Sequence, residues 1–433
     1  MDLPVRMKVS HASFLEGHIH NGIGVGKFIT MLNLLEEATP QALYGPESSE
    51  FRIVPDVETF TPIPYSPSNA RFICELSEID NRPAEVDTRY YLRRILDKAT
   101  SRGYKVMAAC EPEFNLYIVQ DGKIVAPYME TYGSPLCTFT QDAFLQELVS
   151  SLVAMGIPVE SFLKEGGPAF FEIQMRYANA LKAADDMVTL RVAAKCIARK
   201  HGVNVTFLPK PMQLGGHPGA GLHVHLSLWD SQQKKNLFSD PNDARELGLS
   251  ETAYYFIGGV LEHLKGLSLL SAPLVNSYKR LLDGSVAPSR IFYGGDHRDA
   301  AVRVPSQDVS ARGASARIEF RVSDCSANPY LVIGSVVDAG LYGIEHKLDP
   351  GSPIRDRVFE LTEQERENLG VGMDKYLPRT LGDAITEFKK SNFLRQSLGD
   401  KLFDGYAQNR EYEWKSFREH VTDWEIYKFI DIF

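Results

Sequence analysis

The sequence lacks the features that mark a secreted or membrane-bound protein. Its five cysteines are scattered without a CxxC pair, so neither a disulfide framework nor a thiolate zinc site is expected, and a reducing compartment fits best. The first residues have no apolar core like that of a signal peptide. Uninterrupted apolar runs fall short of the roughly 18 residues that a membrane span needs. We therefore expect a cytoplasmic protein without a membrane partner.

Basic residues are fewer than acidic ones. Lys and Arg number 47 against 56 Asp and Glu, which gives a formal net charge of -9. Such an acidic chain is a poor candidate for coating nucleic acid, and no nucleic-acid partner is expected. With 44% hydrophobic and 24% charged residues, the composition excludes a disordered or fibrous chain, and the 433 residues allow more than one domain.

The order of the predicted elements indicates an α+β protein with two unequal parts. Residues 51–76 contain short strand-like runs punctuated by proline, and the polar stretch 77–87 follows them. This pattern predicts a small N-terminal domain over 1–84 and a large domain over 85–433. Apolar residues at helical spacing, with glycine after several of the segments, predict helices over 142–155, 179–201, 245–268 and 326–346.

Four single residues receive structural interpretations from the same patterns. Asp87 is predicted to cap a helix that begins beside it. Cys196 lies near the expected apolar face of the 179–201 helix and is assigned to the core. Trp414 and Trp424 are expected to anchor the mixed, charged C-terminal segment by packing.

Four predicted strands share one chemical pattern. Because alternate residues of a strand point to opposite faces, each segment has an apolar face and a face rich in Glu, His or Arg. A solvated sheet face would explain any one of them alone. Together they indicate a curved sheet whose concave face is a polar site. The polar-face residues are Glu111, Glu113, Asn115 and Tyr117, then Glu172 and Gln174, then His223, His225 and Ser227, and finally Arg317, Glu319, Arg321 and Ser323.

Convergence of these carboxylates would require cations between them. Like charges a few ångströms apart cannot all remain ionised without compensation. Carboxylate oxygens with at most one imidazole select Mg²⁺ or Mn²⁺ rather than zinc. Arg317 and Arg321 beside them would bind phosphate or carboxylate oxygens bidentately. Divalent ions and arginines in one cleft point to phosphoryl transfer from a nucleotide.

The chain also carries a series of short motifs in a fixed order. They are Glu111-Pro-Glu-Phe, Phe207-Leu-Pro followed by Lys210-Pro-Met, Gly219-Ala-Gly-Leu-His-Val-His-Leu-Ser-Leu, Asn276-Ser-Tyr-Lys-Arg-Leu, Arg298 with Arg303-Val-Pro, Arg317-Ile-Glu-Phe-Arg, and Ser326-Ala-Asn-Pro-Tyr-Leu. No single motif would suffice. In this order and spacing the series resembles the glutamine synthetase family across nearly the whole length of the chain.

The resemblance implies a fold, an activity and an assembly. The fold is a β-grasp N-terminal domain, shortened in this chain, and a catalytic domain with a curved antiparallel sheet flanked by helices. The activity is ATP-dependent formation of γ-glutamyl phosphate, followed by attack of ammonia or an amine, with two or three Mg²⁺ or Mn²⁺ ions in each site. The assembly is a ring-shaped homo-oligomer, expected to be a dodecamer, in which a neighbouring N-terminal domain completes each site.

The resemblance further implies roles for individual positions. One metal would be held by Glu113, Glu165 and Glu172, and the metal that bridges the nucleotide phosphates by Glu111, His223 and Glu319. The nucleotide would be contacted by Tyr177, His225, Ser227, Arg303 and Arg317. Glutamate would be held by Gly219, Arg280 and Arg321, and Arg298 would stabilise charge during phosphoryl transfer.

Two residues depart from the ammonia-using members of the family. Those members have a glutamate that binds ammonium six residues after the Arg of the Asn-Ser-Tyr-Lys-Arg motif, and this chain has Val286 there. Phe170 replaces the Gln of the usual Pro-Gly-Gln segment, and the Asp-Gly-Ser-Ser loop that also serves ammonium is not recognisable. An ammonium ion needs anionic partners in a dehydrated site. The departures therefore favour an organic amine with an alkyl or aromatic substituent, and the aromatic candidates include aniline-like amines.

The resulting prediction is a ligase that joins the γ-carboxylate of glutamate to an organic amine and yields a γ-glutamylamide, ADP and phosphate. Three alternatives stay open. The protein could be a glutamine synthetase that uses ammonia. It could be a non-catalytic family member for assembly or nitrogen sensing, although the intact six-ligand set argues against this. It could also phosphorylate a small guanidine or carboxylate without ligation.

Overall fold

The computed structural model describes residues 5–34, 36–40, 42–212, 219–307 and 313–433. The helices are α1 (Leu15–Asn21), α2 (Thr88–Ser101), α3 (Pro135–Thr140), α4 (Asp142–Ala154), α5 (Ala180–Lys200), α6 (Glu251–Ser271), α7 (Pro329–His346), α8 (Glu363–Asn368), α9 (Leu381–Lys390), α10 (Asn392–Leu398), α11 (Asp400–Glu419) and α12 (Asp423–Phe429). Among the described residues, none of these helices combines the length and the apolar stretch that a membrane crossing requires.

The strands form one small and one large sheet and a separate two-stranded pair. They are β1 (Ile23–Gly26), β2 (Glu50–Pro55), β3 (Thr61–Pro62), β4 (Ala70–Arg71), β5 (Cys74–Ser77), β6 (Tyr104–Gln120), β7 (Lys123–Val125), β8 (Val159–Lys164), β9 (Phe170–Met175), β10 (Ala178–Asn179), β11 (Asn204–Thr206), β12 (Leu222–Asp230), β13 (Tyr293–Gly295), β14 (Val302–Val304) and β15 (Ile318–Phe320). With 41% helix and 20% strand, the predicted α+β class is confirmed.

The N-terminal strands build a small sheet with its own core. The sheet has the order β1-β2-β5 and is antiparallel throughout. Met31, Phe51, Ala84 and Val86 are buried together beneath it. The expected strands around residues 61–71 shrink to the two-residue pair β3 and β4, and proline, which has no N–H to donate to a ladder, punctuates that segment.

The large sheet has the order β13-β14-β15-β12-β6-β9-β8, with β7, β10 and β11 also paired to β6. Strand β6 is 17 residues long and lies at the centre of this arrangement. The described pairs are antiparallel except at one edge, where β13 and β14 run in parallel. The sheet is therefore mixed, and the predicted antiparallel pattern holds for the strands that carry the polar residues.

Apolar helices cover one face of the large sheet and leave the other face free for polar side chains. Helices α6 and α7 cross at glycines: a Cβ on Gly259 would lie 2.1 Å from the carbonyl oxygen of Ala339. The apolar face of the sheet packs against these helices, and the buried side chains form one continuous core. Because burial of apolar area is the main favourable contribution to folding, this core fixes which face of each strand remains available for chemistry.

The predicted helices match α4, α5, α6 and α7, with one late start. Helix α6 begins at Glu251 rather than near residue 245. The intervening residues form a turn around Asp243, whose carboxylate accepts bonds from the backbone N–H groups of Leu247 and Leu249. Ser250 then caps the helix by accepting from the N–H of Ala253.

Two of the packing predictions are wrong and two are confirmed. Cys196 is exposed, because α5 buries a face made chiefly of small residues such as Ala184 and Ala194 instead. Trp424 is 57% exposed. Trp414 packs against the main core, and Asp87 caps α2 through the N–H groups at positions 89 and 90.

A buried guanidinium ties the N-terminal strands to the large core. Arg89 donates to Glu75 at 2.8 Å, to Asp56 at 2.8 Å and to both carboxylate oxygens of Asp185 at 2.9 Å. Burial alone would lower the pKa of Arg89, but the hydrogen bonds to Asp185 and Asp56 outweigh it and raise the pKa. The residue joins three segments that are far apart in the chain.

We expect Arg89→Ala to lower the free energy of unfolding by about 3–5 kcal/mol, because it removes the guanidinium that pairs with the buried carboxylate of Asp185 and takes one cationic partner from Asp56 and Glu75. Arg93→Ala is the matched control. Its side chain is 41% exposed although it contacts the same Asp56 and Glu75, so the loss should stay below about 1 kcal/mol. Urea denaturation of both variants measures the difference. Equal losses in the two variants would contradict the interpretation.

Candidate active site

The concave face of the large sheet borders a cavity of about 1340 Å³. Every residue to which the sequence resemblance gave a role lines this cavity. These residues are Glu111, Glu113, Glu165, Phe170, Glu172, Tyr177, Gly219, His223, His225, Ser227, Arg280, Val286, Arg298, Arg303, Arg317, Glu319 and Arg321. The structure thus places together side chains that are separated by more than two hundred positions in the chain, as the convergence argument expected.

Strand register explains why the carboxylates meet. Glu111 of β6 lies directly opposite His223 of β12. Glu113 of the same strand lies opposite Glu172 of β9. Side chains in such opposed positions have Cβ atoms about 4.5–5.5 Å apart, so pairing alone brings these groups to the distance at which a shared ion can bind.

Two overlapping groups of side chains have the composition of a divalent-metal site. Ligand atoms of Glu111, Glu172 and His223 lie within 4.8 Å of one another, and so do those of Glu111, His225 and Glu319. The groups divide the residues differently from the sets that the resemblance implied. His225, expected at the nucleotide, lies 3.1 Å from Glu111, while His223 is 3.5 Å from Glu319.

A buried nitrogen supports the metal interpretation. Nε2 of His225 has no hydrogen-bond partner within the described part of the chain, although Oε1 of Glu111 is only 3.1 Å away. The two atoms lie close together but do not form a hydrogen bond, which is the arrangement expected of two ligands of one ion. Each group holds carboxylates and one imidazole, a donor set that fits Mg²⁺ or Mn²⁺ better than zinc.

Two carboxylates of the site have a raised pKa. Burial raises the pKa of Glu172 to about 8, with further contributions from the charges of Glu111 and Glu113. Burial also raises the pKa of Glu113 to about 7, against the opposing effect of Arg280. Glu165, which contributes to both shifts, faces the same space. The site therefore takes up protons near neutral pH unless a cation replaces them.

Arginines compensate the remaining charge. Glu319 is nearly fully buried and accepts bonds from Arg303, at 2.6 Å, and from Arg321. Burial would raise the pKa of Glu319, but the charges of His223 and Arg321 outweigh it and hold the pKa far below its usual value. Near neutral pH, Glu319 is thus ionised while Glu113 and Glu172 are partly protonated, so the carboxylates of this site differ in their protonation.

Arg280 lies deep in the wall of the cavity. Its Nη1 and Nη2 atoms each donate to a backbone carbonyl at 3.2 Å, those of Val322 and Arg321. Its Nε has no hydrogen-bond partner among the described residues. These contacts fix the plane of the guanidinium and leave a donor for an anion such as a substrate carboxylate. By contrast, Arg298 is exposed at the cavity wall.

A short loop places Glu165 after β8. The backbone N–H of Glu165 donates to the carbonyl of Phe170 at 2.8 Å and closes the turn. Lys164 is buried, and its Nζ donates to the carbonyls of Glu165 and Gly167, both at 2.5 Å. Sequence reasoning gave Lys164 no role, although a lysine at the end of an otherwise half-apolar strand was a detectable signal. It holds the loop that carries a carboxylate of the site.

Gly219, Val286 and Phe170 form further parts of the cavity lining. Gly219 has φ +84°, and a Cβ there would lie 2.6 Å from the carbonyl oxygen of Pro209, so only glycine fits. Val286 exposes 52% of its surface. Its carbonyl oxygen accepts from Arg321 at 3.4 Å. Phe170, fully buried, forms part of the floor.

Several cavity residues were missed by the sequence reasoning. Tyr132 and Leu163 line the wall, and Met107 and Trp229 line the floor further along the sheet. Trp229 was detectable because it continues the alternation of His223, His225 and Ser227 on β12. Tyr132 comes from the segment before α3, which showed no strand or motif signal.

Carboxylates, imidazoles and guanidiniums around one cleft have the composition of a site for divalent ions and phosphate groups. The sequence model described as "Glutamine synthetase, catalytic domain" matches residues 85–429. The chain belongs to the glutamine synthetase family, and it is an ATP-dependent ligase of that family.

Two characterised relatives are named glutamine synthetase. The protein of Thermotoga maritima is 35% identical over 390 residues, which cover 89% of this chain and 86% of that one. The protein of Thermus thermophilus is 36% identical over 396 residues, which cover 89% and 85%.

Solved structures of GmaS, a γ-glutamylmethylamide synthetase, are also similar. The GmaS/ADP complex has a TM-score of 0.86 and 29% identity, and covers 98% of this chain and 94% of its own. GmaS without ligand has a TM-score of 0.85 at the same identity, with coverage of 98% and 93%. A structure described as a novel glutamine synthase homolog has a TM-score of 0.80, 28% identity, and coverage of 95% and 91%.

We expect the metal-free protein to lose stability as pH rises, and Mg²⁺ or Mn²⁺ to reverse that loss. The pKa values of Glu113 and Glu172 rise on folding from 4.5 to about 7 and about 8. Between the unfolded and folded values the native state holds protons that the unfolded chain has released, so each step up in pH favours unfolding. A cation that replaces those protons should raise Tm more at a pH of about 8 than at about 5.5.

Calorimetric melting of the protein with and without each metal measures the effect. Glu172→Gln should reduce both the pH dependence and the rise in Tm, while Glu419→Gln, 67% exposed at the end of α11, should leave both unchanged. A metal-induced rise of equal size at both pH values would contradict the assignment.

Proposed function

We propose that this protein joins the γ-carboxylate of glutamate to an organic amine, with ATP converted to ADP and phosphate. A γ-carboxylate oxygen would attack the γ-phosphorus of ATP, and ADP would leave. The amine nitrogen would then attack the carbonyl carbon of the acyl phosphate, lose a proton and displace phosphate. The observation that carries the choice of amine is Val286, whose apolar side chain lines the cavity at the position where the resemblance expects a carboxylate in ammonia-using members.

The arginines of the cavity would bind the anionic groups. Arg280, fixed by two backbone carbonyls, would hold a carboxylate of glutamate, with Gly219 admitting the substrate beside it. Arg303 and Arg321 both donate to Glu319; Arg303 would extend its charge to the phosphate, and Arg321 would bind glutamate together with Arg280. Arg298, exposed at the cavity wall, would approach the transferring group. Pre-positioned charge of this kind lowers the barrier to phosphoryl transfer.

Glu111, Glu113, Glu165, Glu172, His223 and Glu319 would hold the divalent ions, with His225 close enough to share in the second group. When bound, the ions would neutralise phosphate oxygens and align them with the attacking carboxylate. The chain's own contribution is to keep these ligands on rigid strands. Gln174, for example, donates to Oε1 of Glu172 at 3.0 Å and orients it.

The wall beside Val286 suits an amine with an apolar substituent. An ammonium ion stripped of water needs anionic or hydrogen-bonding partners, which a valine side chain cannot supply. An aromatic amine is uncharged at neutral pH and loses less on entering such a site. Similarity to GmaS favours a small alkylamine as another candidate.

A second candidate is glutamine synthesis from ammonia, since relatives at 34–36% identity are named glutamine synthetase.

The domain boundary near residue 84 and the ring-shaped dodecamer also stay predictions. Exposed apolar side chains near the C-terminus, including Trp424 and Ile430, offer surface that another subunit would cover. Members of the family form oligomers, which supports an assembly of this kind.

We expect phosphate release from ATP to require both glutamate and an organic amine. A panel of ammonia, methylamine, ethylamine, ethanolamine and aniline, scored by phosphate release at fixed glutamate and ATP, measures this. At least one organic amine should exceed ammonia in kcat/KM by about tenfold or more, which corresponds to a free-energy difference of about 1.4 kcal/mol. Turnover with ammonia equal to that with every amine would reject the proposal, and phosphate release without any amine would indicate phosphorylation alone.

We expect Val286→Glu to move preference toward ammonia. A carboxylate facing the cavity would offer a charge-assisted hydrogen bond worth about 1.5–3 kcal/mol, so the ratio of kcat/KM for ammonia to that for the best amine should rise about 10- to 100-fold. Leu282→Glu is the matched control, because that side chain is 54% exposed and outside the cavity lining. An unchanged ratio in Val286→Glu, or an equal change in both variants, would contradict the role of Val286.

A further inference from the structure

Residues 281–289, here called the Val286 loop, connect two buried arginines. Arg280 precedes the loop and lines the cavity, whereas Arg290 follows it and is not among the described lining residues. On the cavity side, the carbonyl of Val286 accepts a hydrogen bond from Arg321 at 3.4 Å, which is longer than the usual range of about 2.7–3.2 Å. The cavity side of the loop is therefore weakly held, and its stronger contacts are made by residues outside the cavity lining.

Asp283 makes the main contacts of this outer side. Its Oδ1 accepts a hydrogen bond from the hydroxyl of Ser289, at the far end of the same loop. Its Oδ2 accepts from the phenolic hydroxyl of Tyr376 at 2.6 Å and lies 3.8 Å from Nη2 of Arg290. Burial would raise the pKa of Asp283, but the hydrogen bonds from Ser289 and Tyr376 outweigh it and lower the pKa. One ionised carboxylate thus closes the loop and binds it to a distant segment of the chain.

Tyr376 is itself fixed by two guanidinium groups. The central carbon of Arg290 lies 3.7 Å from the centroid of the tyrosine ring, and that of Arg379 lies 3.8 Å from it. Two groups this close to one centroid must lie on opposite faces of the ring, where each gains a cation–π attraction. Arg290 also donates to the carbonyls of Val371 and Gly372, at 2.7 and 3.1 Å. The hydroxyl of Tyr376 is therefore a fixed point against which Asp283 is held.

Asp283 and Val286 belong to one compact turn. The backbone N–H of Ser285 donates to the carbonyl of Leu282 at 3.1 Å, and the hydroxyl of Ser285 donates to the same carbonyl at 2.6 Å. That hydroxyl oxygen accepts from the N–H of Ala287 at 3.3 Å. Because these bonds tie together the residues on either side of both positions, a displacement of Asp283 would carry Val286 with it.

We propose that Tyr376 is a positioning residue for the nitrogen donor, and that its hydroxyl acts through the Asp283 carboxylate to set where Val286 meets the substituent of the amine. The inference rests on the proposed function and deepens it, because Tyr376 is not among the described residues that line the cavity. An apolar wall that is displaced loses contact with an alkyl or aromatic substituent. Ammonia has no substituent, so its use depends less on this contact.

Tyr376→Phe removes the hydroxyl and keeps the ring between its two arginines. The neighbouring backbone bond from the N–H of Leu377 to the carbonyl of Ser289, at 2.9 Å, keeps the segment beside the loop. We expect kcat/KM for the best organic amine to fall about 3- to 30-fold, within the range of one charge-assisted hydrogen bond, with less than about a twofold change for ammonia and in KM for ATP. Tyr90→Phe, which removes a hydroxyl from a half-buried residue of α2, should leave all three unchanged.

A double-mutant cycle tests whether the effect passes through Asp283. Asp283→Ala should reproduce the selective loss, and Asp283→Asn, which keeps one acceptor oxygen, should lose less. Because both side chains act through one hydrogen bond, Tyr376→Phe combined with Asp283→Ala should cost less than about twofold beyond Asp283→Ala alone. Phosphate release with each amine and with ammonia, at saturating glutamate and ATP, measures every variant, and thermal melting confirms that each is folded.

The inference is overturned if Tyr376→Phe leaves kcat/KM for the amine unchanged, if it lowers the values for amine and ammonia equally, or if the two substitutions add independently. Each of those results leaves the proposed function standing, since the unaltered protein would still use the amine. Absence of amine-dependent phosphate release from the unaltered protein would overturn the proposed function and this inference together, so the two failures are distinguishable.

Discussion

Repulsion among carboxylates on one concave sheet face is the constraint on which the rest of the structure depends. Glu111, Glu113 and Glu172 cannot be rearranged individually, since each is fixed by a strand pairing. The apolar core behind the sheet holds those strands in register. Folding thus brings carboxylates together, and a divalent ion bound between them would relieve their mutual repulsion. Affinity for metal is in this sense a property of the whole sheet.

The charge balance is uneven across the site, and that unevenness organises the chemistry. Arg303 and Arg321 keep Glu319 ionised, whereas burial leaves Glu113 and Glu172 partly protonated near neutrality. Glu319 would therefore bind an ion without first losing a proton, whereas Glu113 and Glu172 would release protons as an ion binds. Lys164 adds a purely structural cation, because its ammonium group binds loop carbonyls rather than the carboxylates.

Much of the fold and site could be predicted because the decisive signals are local in sequence. Alternation along a strand depends only on neighbours, so the polar faces were readable, and the motif series identified their shared cleft. The parallel pairing of β13 and β14 at the edge of the sheet could not be predicted, since three-residue strands carry no usable periodicity. Cys196 and Trp424 were misplaced because small residues on α5 bury as well as large ones, and because apolar residues at a chain end need not pack within one chain. The position of Tyr132 depends on tertiary contacts that no local pattern records.

Val286 lies in a loop, whereas the charged floor is built from paired strands. A one-residue shift in any of those strands would turn its carboxylates into the core, so that part of the molecule resists change. Within the part of the chain that the structure describes, the loop has no such partner strand. Under the proposed function, a new side chain there would alter the nitrogen donor without disturbing activation of the acid, so substrate range could diverge by single replacements.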